Sequence, residues 1–138
     1  MAVLVDTGIL YALADADDGW HERALEWMDD ASDLLIVPIT VLPEVSYLLN
    51  TRLGADAELA FIQSIAAGEL ELEEIRRQDL TRATEVMQRH PAIGFVDATI
   101  VAIAERLKIA NVATTDRRHF GAIRPKHAKA FTLLPSIR

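Results

Sequence analysis

The 138-residue sequence has no cysteine. That absence excludes a disulfide scaffold, a zinc–thiolate site and a cysteine nucleophile together. No run of about 18 uncharged apolar residues is present to span a membrane. The N-terminus, MAVLVDTGIL, has neither a basic start nor a long apolar stretch, so it does not read as a secretory signal. A cytoplasmic globular protein is the expectation. No linker, repeat or low-complexity segment divides the chain, and its length fits one domain over 1–138. An apolar content of 51% is enough for a core and excludes disorder.

Charge of one sign is missing at each end. Residues 1–50 hold ten acids and a single base, Arg23, whereas residues 117–138 hold six bases and no acid. The net charge of −7 therefore hides a polarity along the chain.

What is present is an alternation of short β-like runs and longer helical ones. Ala2–Val5, Leu34–Val37 and Asn111–Thr114 read as buried strands, and Ala130–Leu134 as a last one. Leu70–Ile75 alternates apolar and acidic residues, the pattern of a half-exposed edge strand. Helical spacing covers Thr7–Ala14, about Trp20–Asp30, a segment capped by Thr40 and stopped at Gly54, Ala55–Ala67, Asp79–His90 and Phe95–Lys108. On the second of these, Trp20 and Trp27 approach one face, while His21 and His90 read as surface residues. The alternation implies an α/β sandwich with a mainly parallel central sheet, in which ligands bind beyond the carboxyl ends of the strands.

Four acids fall at that edge. Asp6 follows the first strand and Asp116 follows Asn111–Thr114, while Glu44 and Asp97 lie in the first turns of helices. Helix capping and helix-dipole effects account for such residues one at a time. They account poorly for Asp97, which has no other charge between Pro91 and Ala104, or for Glu44, isolated between Asp33 and Arg52. Clustered carboxylates repel unless a proton or a cation intervenes. A hard divalent ion such as Mg²⁺ or Mn²⁺ takes oxygen ligands of this kind and supports phosphodiester hydrolysis.

Asp6-Thr7 after a short strand, Thr40-Val41-Leu42-Pro43-Glu44-Val45, Phe95-Val96-Asp97-Ala98 opening a helix, and Thr114-Thr115-Asp116-Arg117-Arg118-His119-Phe120 together resemble a PIN-domain ribonuclease, and more closely a VapC-type toxin of a toxin–antitoxin pair. The resemblance runs through essentially the whole chain. It implies a PIN-like three-layer α/β/α sandwich and one Mg²⁺ or Mn²⁺ site lined by Asp6, Glu44, Asp97 and Asp116, with Asp6 and Asp97 as direct ligands. Thr114 matches the family's hydroxyl two residues before the last acid and would orient a carboxylate or water. The resemblance further implies an RNA substrate, a homodimer, and neutralisation by a small VapB-like antitoxin. Arg117, Arg118, His119, Arg124, Lys126, His127 and Lys129 follow Asp116 at once. Such a basic strip could guide RNA past the metal, with Arg117 and Arg118 nearest to it.

The alternative is a PIN-like fold that has lost catalysis and serves as a binding or regulatory surface. A phospho-receiver would need an early acidic pair and a late lysine in other places. A haloacid-dehalogenase-like phosphatase would need an acid where Gly8 stands.

Overall fold

A computed structural model describes residues 1–137. Five strands form one parallel sheet: β1 (Ala2–Val5), β2 (Leu34–Pro38), β3 (Glu71–Glu73), β4 (Asn111–Ala113) and β5 (Thr132–Leu134), in the order β3-β2-β1-β4-β5. Seven helices accompany them: α1 (Thr7–Ala14), α2 (His21–Asp30), α3 (Val41–Leu53), α4 (Ala55–Ala66), α5 (Arg77–Arg89), α6 (Phe95–Leu107) and α7 (Arg117–Ala122). The sheet proves parallel throughout, which is why its central strands are apolar on both faces. Val3, Leu4, Val5 and Val37 are fully buried.

The strand order places the site. From β1 the chain steps outward to β2 and β3, then returns through α5 and α6 to β4 on the other side of β1. With right-handed crossovers, that reversal sends α1–α4 to one face of the sheet and α5–α6 to the other. The crevice opens where the order reverses, beyond the carboxyl ends of β1 and β4. Val5 is in register with Ala113, and the Asp6 N–H donates to the Ala113 carbonyl at 2.9 Å. The residues that follow these two strands, Asp6 and Thr114, therefore leave the sheet side by side.

α6 carries the largest continuous share of the core. Residues Ala98–Ala104 are all buried, and Ile100 and Ile103 are completely enclosed. Burial of each such side chain contributes about 1.5–3 kcal/mol. At the other end, Phe120 of α7 is fully buried and meets Phe131 edge-on, with ring centroids 5.9 Å apart.

Three sequence expectations need correction. Thr40 stands at the start of α3 but does not cap it, because its hydroxyl is paired with Thr99 Oγ1 at 2.7 Å. Trp20 precedes α2 instead of lying within it. There its ring is flanked by the guanidinium groups of Arg23 and Arg117, each 5.0 Å from the ring centroid. His21 is half-buried, its Nδ1 2.6 Å from the Ala12 carbonyl, so it ties α2 to α1.

Candidate active site

Each of the four acids is delivered by a different break in regular structure. Asp6 follows β1 and caps α1, accepting from the Thr7 N–H at 2.7 Å. Asp116 follows β4 and caps α7, accepting from the His119 N–H at 3.1 Å. Glu44 and Asp97 stand in the first turns of α3 and α6. Helix N-termini converge here, and their orphan N–H groups favour anions. Asp6, Glu44, Asp97 and Asp116 line one cleft of about 440 Å³, completed by Thr7, Gly94, Phe95 and Val96. The sequence-predicted acids are thus brought together, all four.

Hydroxyl groups connect them. Thr114, fully buried, donates to Asp6 Oδ2 at 2.8 Å and accepts from the Asp116 N–H at 2.8 Å. Thr7 donates to Glu44 Oε1. Gly8 makes room beside them, since a Cβ there would lie 2.1 Å from Thr115 Oγ1.

The electrostatics show carboxylates crowded without compensation. Burial, with further repulsion from Glu44 and Asp116, pushes the Asp6 carboxyl up to about 6, although the bonds from Thr114 and Thr7 oppose the shift. Burial likewise raises Asp97 to about 8, reinforced by the charge of Asp6 and by its hydrogen bond to Asp116. Asp116 goes the other way. Its burial opposes ionisation, but bonds from His119 and Asp97 outweigh it and hold the carboxyl below its usual range. The hydrogen-bonded pair is thus biased in opposite directions, Asp97 toward its protonated form and Asp116 toward its ionised one.

In the sequence His119 belongs to the basic strip after Asp116; the structure turns it onto the acids instead. Its Nδ1 lies 2.8 Å from Asp116 Oδ2, and ligand atoms of Asp97, Asp116 and His119 all fall within 4.8 Å of one another. The available signal was its position three residues after an N-capping acid, which returns a side chain to the cap. Asp6 and Glu44 line the same cleft outside that compact trio. Carboxylate oxygens without thiolate suit Mg²⁺ or Mn²⁺ and leave room for water ligands, whereas the imidazole of His119 is a poor donor for so hard an ion. Among the described residues, no lysine or arginine forms an ion pair with any of the four acids.

The two arginines after Asp116 diverge. Arg117 turns inward, stacks on Trp20 and donates from Nη2 to the Pro135 carbonyl. Burial, with the nearby charge of Arg23, lowers its pKa. Arg118 stays exposed.

A parallel α/β sheet with an acidic crevice at its switch point defines a class of nuclease-like domains, and residues 3–124 match the PIN-domain family. The chain belongs to that family, among its VapC members. It is 36% identical over 135 residues to Ribonuclease VapC26 of Mycobacterium tuberculosis, covering 96% of this chain and 100% of that protein. Among solved structures it resembles M. tuberculosis VapC20, described as a sarcin-ricin loop cleaving toxin. The TM-score there is 0.79 at 27% identity, over 85% of this chain and 92% of that one. VapBC2 from Rickettsia felis, bound to a DNA fragment from its promoter, shares the fold with a TM-score of 0.70 at 17% identity, over 96% and 97% of the two chains.

Proposed function

We propose that the chain is a Mg²⁺- or Mn²⁺-dependent endoribonuclease acting as the toxin of a toxin–antitoxin pair. One observation carries the reading: Asp6, Glu44, Asp97 and Asp116, drawn from four separate segments, converge on a single cleft. The relatives agree with it, one being named a ribonuclease and others having been solved as toxin–antitoxin complexes. A VapB-like antitoxin and a homodimer are the assembly this reading expects.

Asp97 and Asp116 would hold the ion, with His119 orienting Asp116 and with Asp6 and Glu44 contributing from the same cleft directly or through water. When bound, the ion would lower the pKa of a water and stabilise the charge that develops on a phosphodiester. The chain's own residues set the stage. Thr114 fixes Asp6, and Thr7 fixes Glu44, so neither carboxylate must reorganise when RNA arrives. His119 favours the ionised form of Asp116, and a bound cation would favour the ionised form of Asp97 in place of its proton.

The test is cleavage of single-stranded RNA by the purified chain. Activity should be lost in EDTA and return with Mg²⁺ or Mn²⁺. Asp6→Asn and Asp97→Asn should each abolish it while melting cooperatively. Full activity in both variants would overturn the reading, and a folded protein that fails to bind Mn²⁺ would favour the non-catalytic alternative.

A further inference from the structure

The basic C-terminal portion is divided by the fold. Arg117 and His127 turn inward, His127 Nε2 meeting the Ile109 carbonyl at 2.7 Å. Arg124 and Lys126 remain exposed, and they face Arg82, Glu85, Gln88 and Arg89 of α5 across a second cleft of about 430 Å³. We propose that this cleft, distinct from the carboxylate cleft, is a docking site for the phosphate backbone of single-stranded RNA. The proposal rests on the ribonuclease reading above.

Four of the six lining residues are cations, and Glu85 is the only acid. Arg82 is largely neutralised by a two-bond contact to Glu105 at 2.7 and 3.0 Å, with Glu85 3.8 Å away. Among the described residues, Arg89, Arg124 and Lys126 have no carboxylate within ion-pair distance. A place in the last turn of α5 explains Arg89 by the helix dipole. It does not explain why two bases from a separate loop gather opposite it. Arg89 and Arg124 are unpaired among the described residues. Lys126, although its charge is felt by Glu105 and its backbone N–H donates to Glu105 Oε2 at 2.9 Å, adds a third cation to the concavity. On a chain of net charge −7 this raises the local potential and favours an anion that spans them. Arginine forks match phosphate oxygens, and such contacts position a strand without reading its bases.

The position favours RNA over an acidic peptide. Arg89 ends α5, and Gly94 and Phe95, five and six residues later, line the carboxylate cleft. Five residues reach at most about 18 Å. On the opposite wall, Arg124 follows α7, the helix capped by Asp116. Six helical residues span about 9 Å. One wall, α5, is joined by a short loop to α6, which carries Asp97, and the other follows α7, which Asp116 caps, so each wall is tied through the chain to one of the metal-site acids.

The test compares an RNA of about 20 nucleotides with a tetranucleotide, as substrates of the full chain with Mn²⁺. The intact protein should show the lower KM for the long RNA. Combining Arg89→Gln, Arg124→Gln and Lys126→Gln should narrow that preference by about 10-fold and reduce the salt slope of long-RNA binding by about 2, as expected for three lost phosphate contacts. Binding is read by fluorescence anisotropy in an Asp97→Asn background. Arg77→Gln with Lys108→Gln, at the other end of the α5–α6 pair, should change the preference by less than about twofold. Equal narrowing by the two variants, or an unchanged salt slope, would overturn the proposal. So would loss of antitoxin binding with RNA binding intact, which would make the cleft a protein-docking face. If the intact protein cleaves neither RNA, the ribonuclease reading fails, and anisotropy still decides whether the cleft holds RNA.

Discussion

The Thr114 hydroxyl donates to Asp6 Oδ2 at 2.8 Å across a sequence separation of 108 residues. Thr114 Oγ1 in turn accepts from the Asp116 N–H, so one buried hydroxyl fixes the acids that follow β1 and β4. Thr114→Val keeps the shape and removes both interactions. The loss should cost about 1–3 kcal/mol, because Asp6 and a backbone N–H are left short of partners. Mn²⁺ affinity should fall about 10–100-fold, as for other groups that orient metal ligands. Calorimetric titration with Mn²⁺ and a thermal melt measure the two effects. Unchanged affinity would show that Thr114 only packs.

The raised carboxyls make stability depend on pH with an unusual sign. Folded Asp97 holds its proton up to about pH 8 and folded Asp6 to about 6, whereas the unfolded chain releases both near 3.8. Between those limits the folded state binds more protons, so stability falls as pH rises. The metal-free protein should therefore melt at a lower temperature at pH 8 than at pH 5. Asp97→Asn should flatten the slope and raise the melting temperature at pH 8. Metal must displace the same proton, so Mn²⁺ affinity should increase from pH 6 to 8, with proton release visible in buffers of different ionisation enthalpy. A melting temperature that climbs toward pH 8 in EDTA would contradict this account.

Gly8 stands one residue after the Asp6-Thr7 pair because of space, its φ being unremarkable. An added Cβ would meet Thr115 Oγ1 at 2.1 Å, Cβ at 3.2 Å and Cγ2 at 3.3 Å. Rotating Thr115 can swing Oγ1 aside, but its Cβ stays 3.2 Å from the new methyl group and β-branching limits the rotamers it can take. Gly8→Ala should push the Thr114–Asp116 turn away from β1, at about 1–3 kcal/mol of overpacking. Activity should fall further than stability implies, because that turn carries Asp116. Gly8→Ala with Thr115→Gly should recover both, as judged by melting and by cleavage rate.

The elements of regular hydrophobic period were legible in the sequence. Ala2–Val5 and Thr7–Ala14 are found at those bounds, and α6 ends one residue short of its expected end. The four acids were legible because charge is conspicuous in apolar surroundings, as with Asp97 in its uncharged stretch. α7 was not foreseen: its sequence, RRHFGA, has too few apolar residues to show a period, and its placement depends on Phe120 reaching Phe131. Arg117 and Arg118 are alike as sequence and opposite as structure, because Trp20, nearly a hundred residues away, receives only the first. The second cleft was illegible for the same reason, since α5 and the loop after α7 meet only in the folded chain.

The C-terminal end of α6, the helix that presents Asp97, is held by a buried charge network. Arg106 donates from Nε to Asp79 at 3.0 and 3.1 Å, from Nη2 to the Glu74 carbonyl at 3.0 Å, and pairs through Nη1 with Glu73 at 3.0 Å. Asp79 is 1% exposed and also accepts from the Arg76 N–H in the capping box of α5. One guanidinium thus joins α6 to the start of α5 and to β3. Removing it strands a desolvated carboxylate, so Arg106→Leu should cost about 3–5 kcal/mol. The partner carboxylate is the cause of that cost. Adding Asp79→Asn to Arg106→Leu should therefore recover part of the loss, even though it removes a second member of the network. A denaturant-based double-mutant cycle measures the coupling. Additive losses would mean that Arg106 acts by packing alone, and that the charge of Asp79 is tolerated without it.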